Sequence, residues 1–174
     1  MHSEITLRKL QQSDALIWRE IRLEALKMHP ESFGGSFEEE SVLTDQEFSN
    51  NLVKSDIFGA FVDNTLVGVA GFFRLGPQKL RHRGTLFSMY LKKEFRHRGI
   101  ADLLLKEVIR HAQKSVLQLH CTVETSNTAA IHLYQKHGFK IYGTEPCALK
   151  VGGSFFDEHL MVLLFDVPNG PLLD

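Results

Sequence analysis

Arg96, Arg98 and Gly99 stand in the run Phe95-Arg-His-Arg-Gly-Ile-Ala101, where a strand-like pattern gives way to a helical one. Thr85 to Leu91 alternates apolar residues. Ile100, Leu104 and Val108 then fall on one helical stripe, with Ala101, Leu105 and Ala112 beside it. A strand that turns through a basic glycine loop into a helix aims several backbone N–H groups at one point. The helix N-terminus adds partial positive charge there. The chemistry is anion binding, and the expected ligand is a phosphate or pyrophosphate of a nucleotide-like cofactor. The sequence contains no G-x-x-x-x-G-K-[ST] and no G-x-G-x-x-G, so neither a triphosphate P-loop nor a dinucleotide fingerprint is present. Taken alone, Arg96-x-x-Gly99-x-Ala101 also fits an ordinary turn with two solvated arginines.

A second group of reactive side chains follows. In the strand-like segment Val116 to Glu124, Leu117, Leu119, Cys121 and Val123 share one face, and Gln118, His120, Thr122 and Glu124 share the other. A polar stripe is unusual on a strand covered on both faces and points to a site. Cys121 lies on the apolar stripe, as a core residue does. The nine histidines form no H-x-x-x-H or H-E-x-x-H, and there is no Cys-x-x-Cys. No metal site is expected. A G-x-S-x-G nucleophile elbow is also missing, so a serine hydrolase is unsupported.

A length of 174 residues suits one domain, expected over 1–174 with its core at about 5–165. The net charge of -1 gives no global field for nucleic acid or an anionic membrane. The positive charge is local, from Lys79 through Arg81, Arg83, Lys92 and Lys93 to Arg98. Two cysteines make no disulfide framework, and Met-His-Ser-Glu is no apolar signal. The apolar run Leu160 to Phe165 is far too short to span a bilayer. A cytoplasmic protein is expected.

The elements that must position these residues follow from the hydrophobic period. Ile5 to Leu10 reads as a strand, then a helix capped by Ser13 or Asp14 with Ile17, Ile21, Ala25 and Met28 on one face. Pro30 helps to end it. Glu31 to Glu40 reads as a loop, and a short helix follows Thr44. Ile57 to Val62 and Leu66 to Phe73 are strands joined by Asp63-Asn64-Thr65. Thr85 to Leu91, the Ile100 helix and the Val116 strand come next. A helix over Asn127 to His137 has Ser126 or Asn127 as its cap and Gly138 for its left-handed end. Phe139 to Tyr142 starts a strand, and Ala148 to Val151 with Phe155 to Phe165 form a hairpin about Gly152-Gly153. This order predicts an α/β (α+β layered) sheet.

Beyond Ala101 the chain reads Asn127-Thr-Ala-Ala130-Ile-His-Leu-Tyr134-Gln-Lys-His-Gly138-Phe139. Together with Arg96-x-x-Gly99-x-Ala101, this resembles the GNAT superfamily of N-acetyltransferases. The resemblance covers residues 5 to 165 in element order and is densest from 85 to 142. It implies a mixed, splayed central sheet flanked by about four helices, and acetyl transfer from acetyl coenzyme A to a primary amine of a small molecule or peptide. It places the pyrophosphate on the backbone of Arg96, His97, Arg98, Gly99, Ile100 and Ala101. Pantetheine then lies along Met89, Tyr90 and Leu91, and Asn127 and Ala130 touch the cofactor. Tyr134 matches the usual general acid, which donates to the departing thiolate. A strand N–H near Tyr90 or Leu91 is the expected oxyanion donor.

The sequence departs from the family pattern at the base. Thr85 and Thr122 stand where some members carry glutamate. Glu124 is the nearest carboxylate and can deprotonate an ammonium through water, or simply face solvent at the strand end. Glu158, with Asp157, His159 and the Glu38–Glu40 run, gives an acidic rim on the acceptor side. Phe33 with Gly34-Gly35 is a candidate lid. The alternative to an enzyme is a non-catalytic acyl-coenzyme A sensor on the same fold. The expected partner is the amine acceptor, with no nucleic acid or membrane, in a monomer or homodimer.

Overall fold

The computed structural model describes residues 4–165. The reading of the first three residues as free of an apolar signal lies outside that range. In order the elements are β1 (Ile5–Lys9), α1 (Ala15–Met28), α2 (Phe37–Ser41), α3 (Asp45–Lys54), β2 (Asp56–Val62), β3 (Thr65–Arg74), β4 (Arg83–Leu91), α4 (Ile100–Ala112), β5 (Gln118–Glu124), α5 (Thr128–Lys136), β6 (Lys140–Val151) and β7 (Ser154–Leu164). The strands form one sheet in the order β1-β2-β3-β4-β5-β7-β6. Every pairing is antiparallel except β4 with β5. This is the mixed α/β sheet expected from the sequence.

The sheet is covered on both faces, which is why β2 and β3 read as near-continuous apolar runs. Along β2, Ile57 and Phe61 face Trp18, Ile21 and Ala25 of α1 and Phe48 and Leu52 of α3. Phe58, Ala60 and Val62 face the other layer, built on Leu104, Leu105 and Val108 of α4. Those three α4 side chains are fully buried, each contributing about 1.5–3 kcal/mol by leaving water. The β2–β3 turn holds Asp63 and Asn64 at φ 48° and 65°, left-handed values that match the twist of a two-residue hairpin. Thr44 caps α3 in a reciprocal box with Glu47.

The feature that makes a site is the incomplete join between β4 and β5. They pair only at Arg83–Gln118, Gly84–Leu119 and Thr85–His120. Beyond Thr85 the register with β3 shifts, so that Ser88 and Met89 stand against Ala70 alone. Two residues against one is a bulge, which bends and twists its strand. Ser88 carries the strain at φ 53°. The strands therefore part, opening a gap between the ends of β4 and β5.

Several local readings need correction. Neither Ser13 nor Asp14 caps α1. The Asp14 carboxylate turns back to Arg8 and to the Gln11 N–H. Met28 is exposed, and the buried face of α1 runs through Ala15, Trp18, Ile21, Ala25 and Leu26. Glu31 to Glu40 is not all loop, because Ser36 caps α2 by accepting from the Glu39 N–H. With α2 the described α-helices number five, in keeping with the about four expected. Ala148 to Val151 is the end of one long strand, β6, whose pairing is interrupted between Glu145 and Leu149. Leu117 is exposed and precedes β5.

Candidate active site

Two clefts lie on either side of the parted strands. The first, of about 570 Å³, runs from the Arg96 loop along the end of β4 to the start of α5. Met89, Tyr90 and Leu91 form one wall. Arg96, His97, Gly99, Ile100 and Ala101 form its floor, and Asn127, Ala130 and Leu133 close it from α5. Leu103 is the first α4 residue whose N–H finds an intrahelical partner, the Gly99 carbonyl at 3.1 Å. The N–H groups of Ile100, Ala101 and Asp102 thus lie in the unpaired first turn. His97 (φ 61°) and Gly99 (φ 75°) are both left-handed, which curls the loop around these donors. A Cβ at Gly99 would meet nothing within 4 Å, so the space before the helix end is open.

The arginines of the loop serve structure as well as charge. Arg96 donates through Nε to the Leu91 carbonyl at 3.1 Å, and its Nη2 lies 3.1 Å from His29 Nε2. The Arg98 guanidinium stacks over Phe95, 5.2 Å from the ring centre, outside the cleft lining. The Lys92 N–H reaches Val67 on β3. Ladder alternation then turns the Leu91 N–H away from β3, toward the gap. Behind the wall, the Tyr90 hydroxyl donates to Glu24 at 2.8 Å. Asp102 fixes the opposite wall, taking Lys136 at 2.7 Å and His137 at 2.9 Å and so tying α4 to α5.

The second cleft, of about 450 Å³, lies beyond the gap. Arg83, His120, Thr122, Tyr134, Tyr142 and Glu158 line it, with Arg22 and Phe33 to Gly35 on the facing side. Phe33, Met89, Glu124, Asn127 and Ala130 line both clefts, so these residues mark where the two meet. Tyr134 belongs to the second cleft rather than the first.

The polar groups here include a phenol, a thiol, two carboxylates and an imidazole. Tyr134 is 6% exposed, and burial, with a smaller contribution from the Cys121 thiol, pushes its hydroxyl well above the ordinary phenol range. It stays protonated at neutral pH. Burial likewise pushes the Cys121 thiol up to about 12, too high for a thiolate nucleophile. Glu124 is buried, yet both its oxygens are engaged: Ser126 donates through N–H at 3.0 Å and through Oγ, and the Thr125 hydroxyl adds a long bond at 3.4 Å. Glu158 accepts one bond, from Thr122 Oγ1 at 3.1 Å. Its carboxyl is raised above the usual range, first by burial and then by the neighbouring Glu145 and Glu124. Burial, with Arg83 and His82 nearby, lowers His120 to about 4, so its ring is neutral at pH 7.

The acidic rim is smaller than the sequence implied. Glu40 is bound to Arg22 at 2.6 and 2.9 Å, and Glu39 to the Ser36 hydroxyl. Asp157 accepts the Cys147 N–H, and His159 pairs with Thr144. Glu158 alone of the rim enters the cleft lining. Phe33 does lie over the site, beneath Arg22 at 5.4 Å, and Gly35 packs so closely on the Arg22–Glu40 pair that a Cβ would come 2.3 Å from Glu40. Sequence reasoning missed Arg22, Ser88, His29 and Asp102. All four act through partners distant in sequence, and only the residue type of each was legible.

Residues 18–139 match the acetyltransferase (GNAT) family. The chain belongs to the GNAT family. It is an N-acetyltransferase. It is 28% identical over 155 residues to a spermidine N(1)-acetyltransferase of Thermoplasma acidophilum, covering 81% of this chain and 91% of that one. Over 97 residues it is 30% identical to the L-amino acid N-acetyltransferase AaaT of Escherichia coli, covering 53% of this chain and 60% of the other. Among solved structures, a GNAT acetyltransferase of Streptococcus pneumoniae superposes with a TM-score of 0.84 at 29% identity, covering 93% of this chain and all of that one. The yncA protein of Salmonella typhimurium, solved with acetyl-CoA, shares the fold at TM-score 0.83 and 19% identity, covering 99% and 100%. Among the described residues no helix is long and apolar enough to cross a membrane, and no cluster of side chains could hold a metal.

Proposed function

We propose that residues 5–165 work as one unit that passes an acetyl group directly from acetyl coenzyme A to a primary amine at the junction of the two clefts. The observation that carries this reading is the junction itself. A cleft floored by free helix N–H groups meets a cleft lined with carboxylates, at the foot of a protonated tyrosine. The N–H groups of Ile100 and Ala101, with the left-handed backbone at His97 and Gly99, suit a pyrophosphate. The free edge at Met89 to Leu91 suits the pantetheine amides, as in strand addition.

The amine enters from the Glu158 side. Its ammonium loses a proton to a carboxylate, and the nitrogen attacks the thioester carbon. The new C–N bond forms as the C–S bond breaks, Tyr134 gives its proton to the departing sulfur, and the second proton shed by the acylated nitrogen returns through solvent to the Tyr134 oxygen. The Leu91 N–H, turned to the gap, is placed to stabilise the oxygen on which charge collects. Of the two carboxylates, Glu158 is the better proton acceptor. Glu124 already accepts from Ser126 and Thr125, whereas Glu158 holds one bond and an elevated pKa nearer working pH. Glu124 keeps the junction negative and so favours an incoming ammonium. Two unpaired thiols, Cys121 and Cys147, fit a reducing compartment and support a cytoplasmic setting.

The test is amine-dependent release of coenzyme A across a panel of small amines and peptides, with the product weighed by mass spectrometry. One added acetyl group per coenzyme A released is the expected result. Tight binding of acetyl coenzyme A with no release on any amine would establish the sensor instead.

A further inference from the structure

Among the described residues the acceptor cleft carries one positive charge without a counter-ion. Arg22 is neutralised by Glu40 through two short bonds and spends a third on Ser88. Arg83 lines the same cleft, its Nε buried and without a hydrogen-bond partner. No ion pair or side-chain hydrogen bond to Arg83 exists among the described residues. A half-buried guanidinium left this way is costly unless something else completes it. We propose that the acetyl acceptor carries a negatively charged group as well as its amine, and that Arg83 receives it. This rests on the acetyltransferase reading of the site.

The sheet register sets the spacing. Arg83 stands opposite Gln118 on β5, and Glu158 opposite Glu124. Glu158 reaches Thr122, and Arg83 enters the same cleft from its position opposite Gln118. The Gln118–Thr122 step is about 13 Å along a strand, and the length of the Arg83 side chain shortens that to a gap of several bonds between the two charges. An α-amino acid holds its own carboxylate too close to its nitrogen to span that. The fit is an amine whose carboxylate, or an equivalent anion, lies several bonds away. A diamine of the same length would bring its second ammonium against Arg83.

Calorimetry on the protein saturated with coenzyme A reads this without needing turnover. The probes are 5-aminopentanoate and 6-aminohexanoate, their matched alkylamines, and the matched diamines. The expected order of affinity is aminoalkanoate, then alkylamine, then diamine, with at least tenfold between the first two. Arg83→Gln should cut the aminoalkanoate-to-alkylamine ratio at least tenfold, and Arg83→Lys should restore part of it. Equal affinity for aminoalkanoate and alkylamine, or a ratio unmoved in a folded Arg83→Gln protein, would overturn the assignment. Absence of acetyl transfer alongside an intact Arg83-dependent preference would count against the enzymatic reading only.

Discussion

Substituting Gly99 by valine separates the fold from the anion site more cleanly than any other change. Gly99 sits at φ 75° as the N-cap of α4, and a Cβ there meets nothing within 4 Å. The added Cβ therefore meets no clash, and the cost to the folded protein is backbone strain. A left-handed residue with a Cβ costs about 1–2 kcal/mol. For a chain of this size each kcal/mol lowers Tm by about 2–4 °C, so a drop of roughly 2–8 °C is expected. The open space that spares the fold is the space where a phosphate would sit. Losing one hydrogen bond to a charged group costs about 1.5–3 kcal/mol, which is roughly a tenfold to 150-fold loss of affinity. Titration calorimetry with acetyl coenzyme A measures that loss, and thermal unfolding confirms that the variant is folded. Acetyl-pantetheine, which lacks the pyrophosphate, is the control and should bind both proteins alike. Normal affinity for acetyl coenzyme A in folded Gly99→Val, or an equal loss for both ligands, refutes the loop as the pyrophosphate site.

Tyr134→Phe should lower turnover by about 10²–10⁴-fold while leaving the dissociation constant of acetyl coenzyme A unchanged, and equal single-turnover rates would remove the tyrosine from the mechanism. Glu158→Gln should do two things at once. Because burial and neighbouring carboxylates raise the Glu158 pKa, its ionisation destabilises the fold once pH exceeds the unfolded value, so the variant should melt higher than wild type at pH 7 while its rate falls. In wild type the rate should rise with pH through the Glu158 pKa, and a flat acid limb would assign the proton elsewhere. Asp102→Asn should lower Tm at pH 7 by an amount equivalent to at most about 1 kcal/mol. The Asp102 pKa is depressed by Lys136, Lys106 and His137, so the stability it adds is present above its ordinary value of 3.8 and lost as pH falls below it. The gap between variant and wild type should close on acidification.

Signals confined to a few neighbouring residues were legible in the sequence. Thr44 with Glu47, and Asn127 with the Ala130 N–H, satisfy backbone groups within four residues, and Asp63 with Asn64 tolerates the left-handed backbone of its turn, so local sequence located those ends. The Arg96–Ala101 loop and Tyr134 were placed on their correct elements for the same reason. What escaped depends on distant partners. Asp14 reads as a cap until Arg8 is beside it. Glu40 reads as part of a free acidic run until α2 brings it to Arg22 across 18 residues of chain. Glu124 reads as a base acting through water or as a solvent-facing strand end, and its bonds to Ser126 become visible only in the fold. The Ser88 bulge, which parts the strands, has no glycine or proline to announce it, because tertiary packing and the Arg22 contact hold an unfavourable backbone in place.

The most direct test of the whole account is a crystal structure of the protein with acetyl coenzyme A. The pyrophosphate should lie on the N–H groups of Ile100 and Ala101. The thioester should lie at the junction between Met89, Glu124 and Asn127, with the Tyr134 hydroxyl within hydrogen-bond reach of sulfur. A pyrophosphate bound away from the Gly99 loop, or a thioester out of reach of Tyr134, would contradict it.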